Sequence, residues 1–311
     1  MPNWNEILNE IKAAPNSFDQ VRRKYIAEVS HHTERNSIIY YSGWLNHQDT
    51  ATAISDEDTE GFMNAIHELD RTKGLNLVLH TEGGDYHATM NLIRYLREMF
   101  DDNIVTFVPQ IAMSGGTILA CAGQRIVMGK HSNLGPIDPH KGGASAANVK
   151  EEFDKIVAGT WPEPIMGALL SKYPASFINE MEKLLVLSKQ EFTTLLREGM
   201  FKSDIANAEE KIENIVRSLS DPQITKAHSR HLSKENCRNF GLEIENLEDD
   251  RLLQDIVLSI HHACMLTFSG AGRVLKIIEN QEGKAFIKIS HVAVQQMPIM
   301  EQFIHAEIEE S

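Results

Sequence analysis

A serine placed beside two glycines is the first group in this sequence that could do covalent chemistry. Ser114 is followed by Gly115 and Gly116 and then by Thr117–Ala122, a small and apolar run that predicts a buried helix. A hydroxyl at the mouth of a helix is exposed and lies beside the positive end of the backbone dipoles. This arrangement favours a serine nucleophile. The alternative is that the glycines only permit a tight turn between a strand and a helix.

A second glycine corner, Gly83-Gly84, follows the apolar run Asn76–His80, which predicts a buried strand. Backbone N–H groups at such a corner are free to point into a crevice, as an oxyanion hole requires. Ligands of open parallel sheets bind at the carboxyl ends of the strands, and both corners lie there. One glycine pair is weak evidence for a site. Two corners at adjacent strand ends, one of them bearing a serine, favour a site over a pair of turns.

The elements that must hold these corners alternate between strand and helix. Ala88–Phe100 has apolar residues at helical spacing, which predicts an amphipathic helix, and Ile104–Val108 is a further short apolar run. Strand, glycine corner and helix, repeated along the chain, predict a parallel βαβ arrangement and an α/β fold. We expect two N-terminal helices that either cap the sheet or clamp a neighbouring subunit. Asp249–Phe268 predicts a docked helix, and Lys276–Asn280 with Ala285–His291 predicts a terminal hairpin.

Three motifs resemble those of a known group of enzymes: TEGGD (Thr81–Asp85), AMSGGTILA (Ala112–Ala120) and SNLGPIDP (Ser132–Pro139). They resemble the corners of the Clp protease/crotonase superfamily. More closely, they resemble the signal peptide peptidase A clan and its soluble bacterial branch, the serine dehydrogenase proteinases. RNSIIYYSGWL (Arg35–Leu45) and HSRHLSKENCRNFGLEI (His228–Ile244) extend the resemblance, which covers residues 1–280.

The resemblance implies a Clp protease/crotonase-like fold, with a mainly parallel sheet of ββα-type units and peripheral helices. It also implies a serine-type endopeptidase that acts on a peptide or protein as a homo-oligomer. Ser114 is then the nucleophile, and Gly83, Gly84 and Gly115 shape the oxyanion hole. The domain organisation expected is an N-terminal helical arm (1–34), a catalytic domain (35–280) and a C-terminal hairpin and tail (281–311).

The base that would activate Ser114 is less well specified, because a serine hydroxyl is a poor nucleophile until its proton is removed. Signal peptide peptidases use a lysine that precedes a long helix, and Lys172 is the nearest match. The alternative for Lys172 is a surface lysine at the start of a helix. Clp proteases use a histidine whose matching position falls near Pro136, so His140, a few residues further on, is a second candidate.

The segment HSRHLS returns to the rim of the site in the resembling family. His228 and Arg230 are therefore expected to line the substrate site or to support it structurally. Clp proteases place an acid about where Ser229 stands, and this segment has none. We expect no metal site and no cofactor, because no carboxylate or cysteine stands at a ligand spacing that we recognise beside the paired histidines. Those histidines are His228, His231, His261 and His262.

The composition excludes other classes of partner. The formal net charge of −14 over 311 residues argues against a nucleic-acid partner, which would need a basic face. No apolar run approaches the roughly 20 residues of a transmembrane helix. The N-terminus lacks the basic and apolar regions of a secretory signal. The three cysteines are odd in number and widely spaced, which predicts no disulfide framework. We therefore expect a cytoplasmic protein without a transmembrane segment.

Two other classes of function share these features. A crotonase-like acyl-thioester enzyme uses the same paired backbone N–H groups and does not need the serine. A non-catalytic binding or assembly protein on the same fold would keep the glycines for packing alone. The effect of replacing Ser114 on activity separates the peptidase from the crotonase, and reaction with a serine-directed probe separates the peptidase from the binding protein.

Overall fold

The computed structural model of the protein describes residues 3–14, 17–270 and 272–290. Its strands, in chain order, are β1 (Asn36–Ser42), β2 (Leu75–His80), β3 (Ile104–Val108), β4 (Ile111–Ala112), β5 (Arg125–Met128), β6 (Asn133–Leu134), β7 (His140–Lys141), β8 (Ala144–Ser145), β9 (Leu232–Ser233), β10 (Ile244–Asn246), β11 (Val274–Asn280) and β12 (Ala285–Ile289). Its helices are α1 (Trp4–Ala13), α2 (Ser17–Thr33), α3 (Asp58–Ile66), α4 (Tyr86–Phe100), α5 (Gly115–Ala120), α6 (Ala146–Val157), α7 (Glu163–Leu170), α8 (Ala175–Glu198), α9 (Ile205–Ser220), α10 (Pro222–Thr225), α11 (Lys234–Phe240) and α12 (Arg251–Gly270).

The centre of the fold is a seven-stranded sheet with the order β10-β5-β3-β2-β1-β11-β12. The five strands from β10 to β1 run parallel to one another, and β11 and β12 join antiparallel. Every residue of β1, β2 and β3 is buried, as expected for strands covered on both faces. The predicted strands Asn76–His80 and Ile104–Val108 and the α/β class with a mainly parallel sheet are confirmed.

The helix that follows the first glycine corner begins earlier than its apolar spacing predicts. The expected start was Ala88, whereas α4 begins at Tyr86. The Asp85 carboxylate accepts a hydrogen bond from Ala88 N at 2.8 Å and so caps the first turn. The corner motif therefore ends in a residue that starts the next helix, and this fixes the position of α4 relative to Gly83-Gly84.

Helices cover both faces of the sheet. One face packs against α3, α4, α5, α9, α11 and the C-terminal half of α8. The other packs against α2 and α12, where Ile26 and Val29 meet Val257 and Cys264 over Tyr41. The N-terminal helix α2 thus caps the sheet, which is one of the two placements expected from the sequence.

The docked helix expected at Asp249–Phe268 is α12. By length and composition this helix could span a membrane, contrary to the expectation that no apolar segment approaches that length. Its apolar window has a mean hydropathy of 1.2, and 72% of that window is buried inside the fold. The apolar character of α12 is accounted for by its packing on the sheet.

The predicted terminal hairpin is formed by β11 and β12, which pair antiparallel. Its buried charges are matched by partners from distant elements. Lys276 Nζ lies 2.6 Å from Asp58 Oδ1, and Arg22 Nε lies 2.5 Å from Glu279 Oε2. The hairpin is therefore fixed to both helical layers. The expected domain boundaries remain predictions, and residues 291–311 of the expected tail lie outside the described residues.

Candidate active site

Ser114 lies on a sharp turn between β4 and α5 and has an unusual backbone conformation. Its φ is 52° and its ψ is −119°, in a region that residues with a Cβ rarely adopt. The turn is held by two hydrogen bonds, from Met113 N to Thr81 O at 2.9 Å and from Gly116 N to Met113 O at 2.7 Å. Strained strand-to-helix turns of this kind present a nucleophilic hydroxyl away from the sheet. The side chain of Ser114 is half-buried and lines a cavity.

Thr117 ties the nucleophile's helix to the loop that contains the motif SNLGPIDP. Its hydroxyl accepts a hydrogen bond from Gly135 N at 2.9 Å and lies 2.9 Å from Ala112 O. Thr117 is fully buried. The loop that leads to Asp138 and His140 is therefore fixed to the first turn of α5, next to Ser114.

Gly83 shapes the corner opposite Ser114, because without a Cβ its backbone can lie close to Met113 and Ser114. Its φ is 97°, and a Cβ built there would lie 2.5 Å from Met113 O and 2.9 Å from Ser114 Cβ. No other residue fits this position without displacing the nucleophile. The Gly83 N–H donates to Thr81 Oγ1 at 3.1 Å. Gly83 thus contributes shape to the corner, and its N–H is already used.

Gly84 and Gly115 carry N–H groups that have no acceptor among the hydrogen bonds of the described residues. A Cβ built on Gly115 would lie 3.4 Å from Gly84 N, so the two glycine corners are in direct contact. Both residues line the same cavity as Ser114. Unpaired N–H groups beside a serine hydroxyl are donors of the kind that an oxyanion hole requires.

The cavity has a volume of about 740 Å³ and lies between the Ser114 corner and α8. This volume is typical of a ligand site. Its lining includes the apolar side chains of Ile118, Ile137, Leu184 and Leu187. It also includes charged side chains, among them the ion pair of Lys141 Nζ with Glu180 Oε2 at 2.8 Å. The cavity can therefore take an apolar group while polar atoms contact Ser114.

His140 lines this cavity and has a defined tautomer. Its Nδ1 lies 3.0 Å from the backbone oxygen of Asp138. A carbonyl oxygen can only accept, so Nδ1 must carry the proton and Nε2 of the neutral ring carries the lone pair. The Asp138 carboxylate lies 3.7 Å from the same Nδ1. His140 is thus arranged as a base whose protonated form would be stabilised by a carboxylate.

Asp138 is buried and connects two histidines. His228 Nδ1 lies 2.7 Å from Asp138 Oδ1, and the rings of His140 and His228 have centroids 4.0 Å apart. One nitrogen or oxygen atom from each of the three side chains lies within 4.8 Å of the others. Sequence reasoning gave no role to Asp138, although it stands in SNLGPIDP. Its spacing of two residues from His140 is the signal that could have identified it.

The structure does not bring Lys172 to Ser114. Lys172 is exposed in the turn before α8 and does not line the cavity, whereas Lys141 and Lys183 do. Arg230 lies with its Nη1 2.9 Å from Ile224 O, where it donates to a carbonyl of α10. Arg230 is not among the residues that line the cavity, and its role stays a prediction.

Of the two histidines near the first corner, only one belongs to the cavity. His87 is exposed and lines it. His80 is buried at the end of β2, where its ring stacks on Tyr41 of β1 and its Nε2 lies 3.0 Å from Gln110 Oε1. Burial lowers the pKa of His80 to about 4, so this ring is neutral near neutral pH.

Comparison with known proteins identifies a family whose model matches most of this chain. A model of the family described as ClpP-like SDH-type serine proteinase matches residues 22–250, which include both glycine corners, Asp138 and His228. Two uncharacterized proteins of Methanocaldococcus jannaschii are similar. MJ0137 is 26% identical over 192 residues, 62% of this chain and 60% of its own length. MJ1495 is 27% identical over 191 residues, 61% of this chain and 59% of its own length.

The chain therefore spans about three fifths of the length of the curated relatives that it matches. Among solved structures, an alanine mutant of the 1510-N membrane-bound stomatin-specific protease is similar, with a TM-score of 0.40 and 15% sequence identity. That match covers 66% of this chain and 79% of the other.

Proposed function

Because the chain belongs to the ClpP-like SDH-type serine proteinase family, we propose that it hydrolyses peptide bonds with Ser114 as the nucleophile and His140 as the general base. One observation carries this proposal. The strained Ser114 turn, two unpaired N–H groups and an oriented imidazole line the same cavity. Each is a component that acyl transfer through a serine requires.

The reaction follows from the positions of these groups. His140 Nε2 takes the proton of the Ser114 hydroxyl as its oxygen attacks the carbonyl carbon of the peptide. The negative charge that develops on the carbonyl oxygen is stabilised by the N–H groups of Gly84 and Gly115. The imidazolium then gives its proton to the leaving amine, and an acyl-enzyme remains. A water molecule, deprotonated by His140, attacks the carbonyl carbon of the ester, and His140 then returns that proton to the Ser114 oxygen as the acid is released.

Asp138 and His228 support the base in this mechanism. The Asp138 carboxylate, 3.7 Å from His140 Nδ1, stabilises the imidazolium. His228 holds that carboxylate through the 2.7 Å hydrogen bond to Oδ1. His140 is preferred over His87 because, among the described contacts, a carboxylate lies beside His140, whereas the ring contact of His87 is with Tyr86. It is preferred over Lys172 because Lys172 lies outside the cavity.

The experiment is labelling with a fluorophosphonate probe, which phosphonylates activated serines with loss of fluoride. The unaltered chain should be labelled at one position, and peptide mapping should place the label on Ser114. Ser114→Ala should not be labelled. The matched control is Ser171→Ala, since Ser171 is exposed and its hydroxyl bonds only to Ala168 O within the described chain. Labelling that persists in Ser114→Ala, or a folded chain that never reacts, would contradict the proposal.

A further inference from the structure

We propose that Asp138, His140 and His228 form a binding site for a divalent transition-metal ion of the Zn²⁺ type, and that the bound ion switches the serine reaction off. The binding part stands on the geometry of the three side chains. The inhibitory part rests on the proposed function, because it requires His140 to be the base.

The three side chains offer the donor set that such an ion prefers. Two imidazoles and one carboxylate are typical ligands of zinc in catalytic sites, where a fourth position stays open. Bonds of about 2.0–2.1 Å in a tetrahedron place neighbouring ligand atoms roughly 3.3 Å apart. His228 Nδ1 and Asp138 Oδ1 are 2.7 Å apart, and His140 Nδ1 and Asp138 Oδ2 are 3.7 Å apart. Small rotations of the side chains would therefore accommodate the ion.

The charge around Asp138 also points to a cation. Its side chain is only 4% exposed, and its ion-pair partners among the described residues are the two histidines. A neutral imidazole donates a hydrogen bond but brings no permanent charge. A buried carboxylate without a lysine or arginine is costly unless a cation or proton compensates it. An ion with two positive charges supplies that compensation.

The site has an entry path and excludes other common ions. The side chains of His140 and His228 are 29% and 34% exposed, so an ion can reach them from solvent. Mg²⁺ and Ca²⁺ prefer six or more oxygen ligands, and two of the three donors here are nitrogens. Imidazole suits zinc, copper and nickel among the first-row metals. Zn²⁺ is the appropriate probe because it brings no redox chemistry.

Binding of the ion would remove the base. In the metal-free chain Nδ1 of His140 carries the proton, but a neutral imidazole can change tautomer by exchange with solvent, so an ion that binds at Nδ1 leaves the proton on Nε2. If Nδ1 of His140 binds the ion, Nε2 carries the proton and cannot accept another. If Nε2 binds the ion, its lone pair is used directly. In both cases the Ser114 hydroxyl loses its proton acceptor.

This site differs from the metal arrangement considered from the sequence. That arrangement grouped His228 and His231 with His261 and His262, which lie on α12, and it lacked a carboxylate. The structure instead pairs His228 with Asp138, 90 positions earlier in the chain. His231, the residue after Arg230, is exposed and belongs to no such group among the described residues.

The test measures binding apart from catalysis. Zn²⁺ is titrated calorimetrically into Ser114→Ala without a polyhistidine tag, after removal of metal. One equivalent should bind. Removing a residue that only hydrogen-bonds to a metal ligand lowers the metal affinity by about 10- to 100-fold. Adding His228→Gln should lower the Zn²⁺ affinity by more than this, because it removes a ligand itself. His231→Gln is the matched control and should leave the affinity unchanged. Co²⁺ in place of Zn²⁺ should give visible absorption typical of tetrahedral coordination.

Asp138→Asn provides a second variant, and circular dichroism verifies that each variant is folded. Unchanged Zn²⁺ affinity in both folded variants would overturn the site. Activation of the unaltered enzyme by Zn²⁺ would overturn the inhibitory role, whereas loss of activity that a chelator reverses would support it. The two proposals fail separately. A chain that binds Zn²⁺ here but never reacts with fluorophosphonate keeps the site and loses the peptidase. A chain that is labelled but does not bind Zn²⁺ keeps the peptidase and loses the metal site.

Discussion

Ile54 and Gly84 form an isolated parallel β-bridge that holds the Gly83-Gly84 corner from outside the sheet. Ile54 N donates to Gly83 O at 2.8 Å, and Asp85 N donates to Ile54 O at 2.9 Å. The two bonds flank Gly84 and leave its N–H directed away from Ile54. The segment before α3 thus determines where that N–H points, although it contributes no side chain to the reaction in the proposed mechanism.

Gly84→Ala should abolish most of the activity. An added Cβ would lie 2.2 Å from Ile54 N, and a backbone atom cannot give way cheaply. The corner must shift, and loss of one oxyanion donor costs about 100- to 1,000-fold in kcat. The measurement is kcat on a peptide substrate. Gly167→Ala is the control, because a Cβ there meets nothing within 4 Å. A folded and fully active Gly84→Ala enzyme would place the oxyanion donors elsewhere.

His140→Gln should lower kcat by about 100- to 10,000-fold, the usual contribution of a general base. Its thermal stability should change little, because the ring is at the surface of the cavity. Three variants of the rival bases serve as controls: His87→Gln, Lys172→Met and Lys183→Met. Each should retain activity. If Lys183→Met or Lys172→Met were inactive and His140→Gln active, the base would be a lysine, as in the resembling signal peptide peptidases.

Lys276→Met should lower the free energy of unfolding by about 3–5 kcal/mol, because it leaves the buried Asp58 carboxylate without a cation. The measurement is urea denaturation. Lys284→Met is the control, since its partner Glu68 is exposed and such pairs contribute about 1 kcal/mol or less. Asp58→Leu combined with Lys276→Met should restore part of the loss. A small effect of Lys276→Met alone would show that Asp58 is protonated or solvated in the fold.

Acid should destabilise the fold through His80. The pKa of His80 in the folded chain is about 4, because burial disfavours the charged ring, whereas an unfolded histidine titrates near about 6.5. Between these values the unfolded chain binds a proton that the folded chain does not. The free energy of unfolding therefore falls as the pH drops from about 6.5 toward about 4, by on the order of 3 kcal/mol, and this group has no effect at higher pH.

The check is urea denaturation at several pH values across that range, with the unaltered chain and His80→Phe. Burial also lowers the pKa of His261, so the variant should have a smaller pH dependence that is not zero. His67→Phe is the control, because His67 is exposed. Equal pH dependence in the unaltered chain and His80→Phe would show that His80 is not the group responsible.

The parts of the site that the sequence predicts are those encoded locally. The glycine corners and Ser114 stand at the ends of short apolar runs, and a run of this kind determines both the strand and the turn that follows it. The start of α4 was misplaced by two residues, because Asp85 acts as a cap and apolar spacing does not show this. Strand, turn and cap signals of this kind each depend on only a few neighbouring residues.

The parts that the sequence does not predict depend on contacts between distant segments. Asp138 meets His228 only because β6 pairs with β9, and no local pattern contains that pairing. The charges of β11 stand in an apolar strand, and their burial depends on Asp58 and Arg22 from other elements. Lys172 was the expected base because of its distance along the chain from Ser114, and that distance does not determine whether the turn before α8 reaches the cavity.

The antiparallel pairing of β1 with β11 has a consequence for biosynthesis. Ile38 pairs with Asn280, and Lys276 donates to Ala53 O at 2.8 Å, next to the residue that holds Gly84. During translation, Ser114 and both glycine corners leave the ribosome long before Lys276 does. The nascent chain therefore carries Ser114 before it has the Lys276 hydrogen bond that holds Ala53, the residue next to Ile54. Maturation of the site is a late event of synthesis, and a ribosome-bound chain that stops before β11 is expected to be inert.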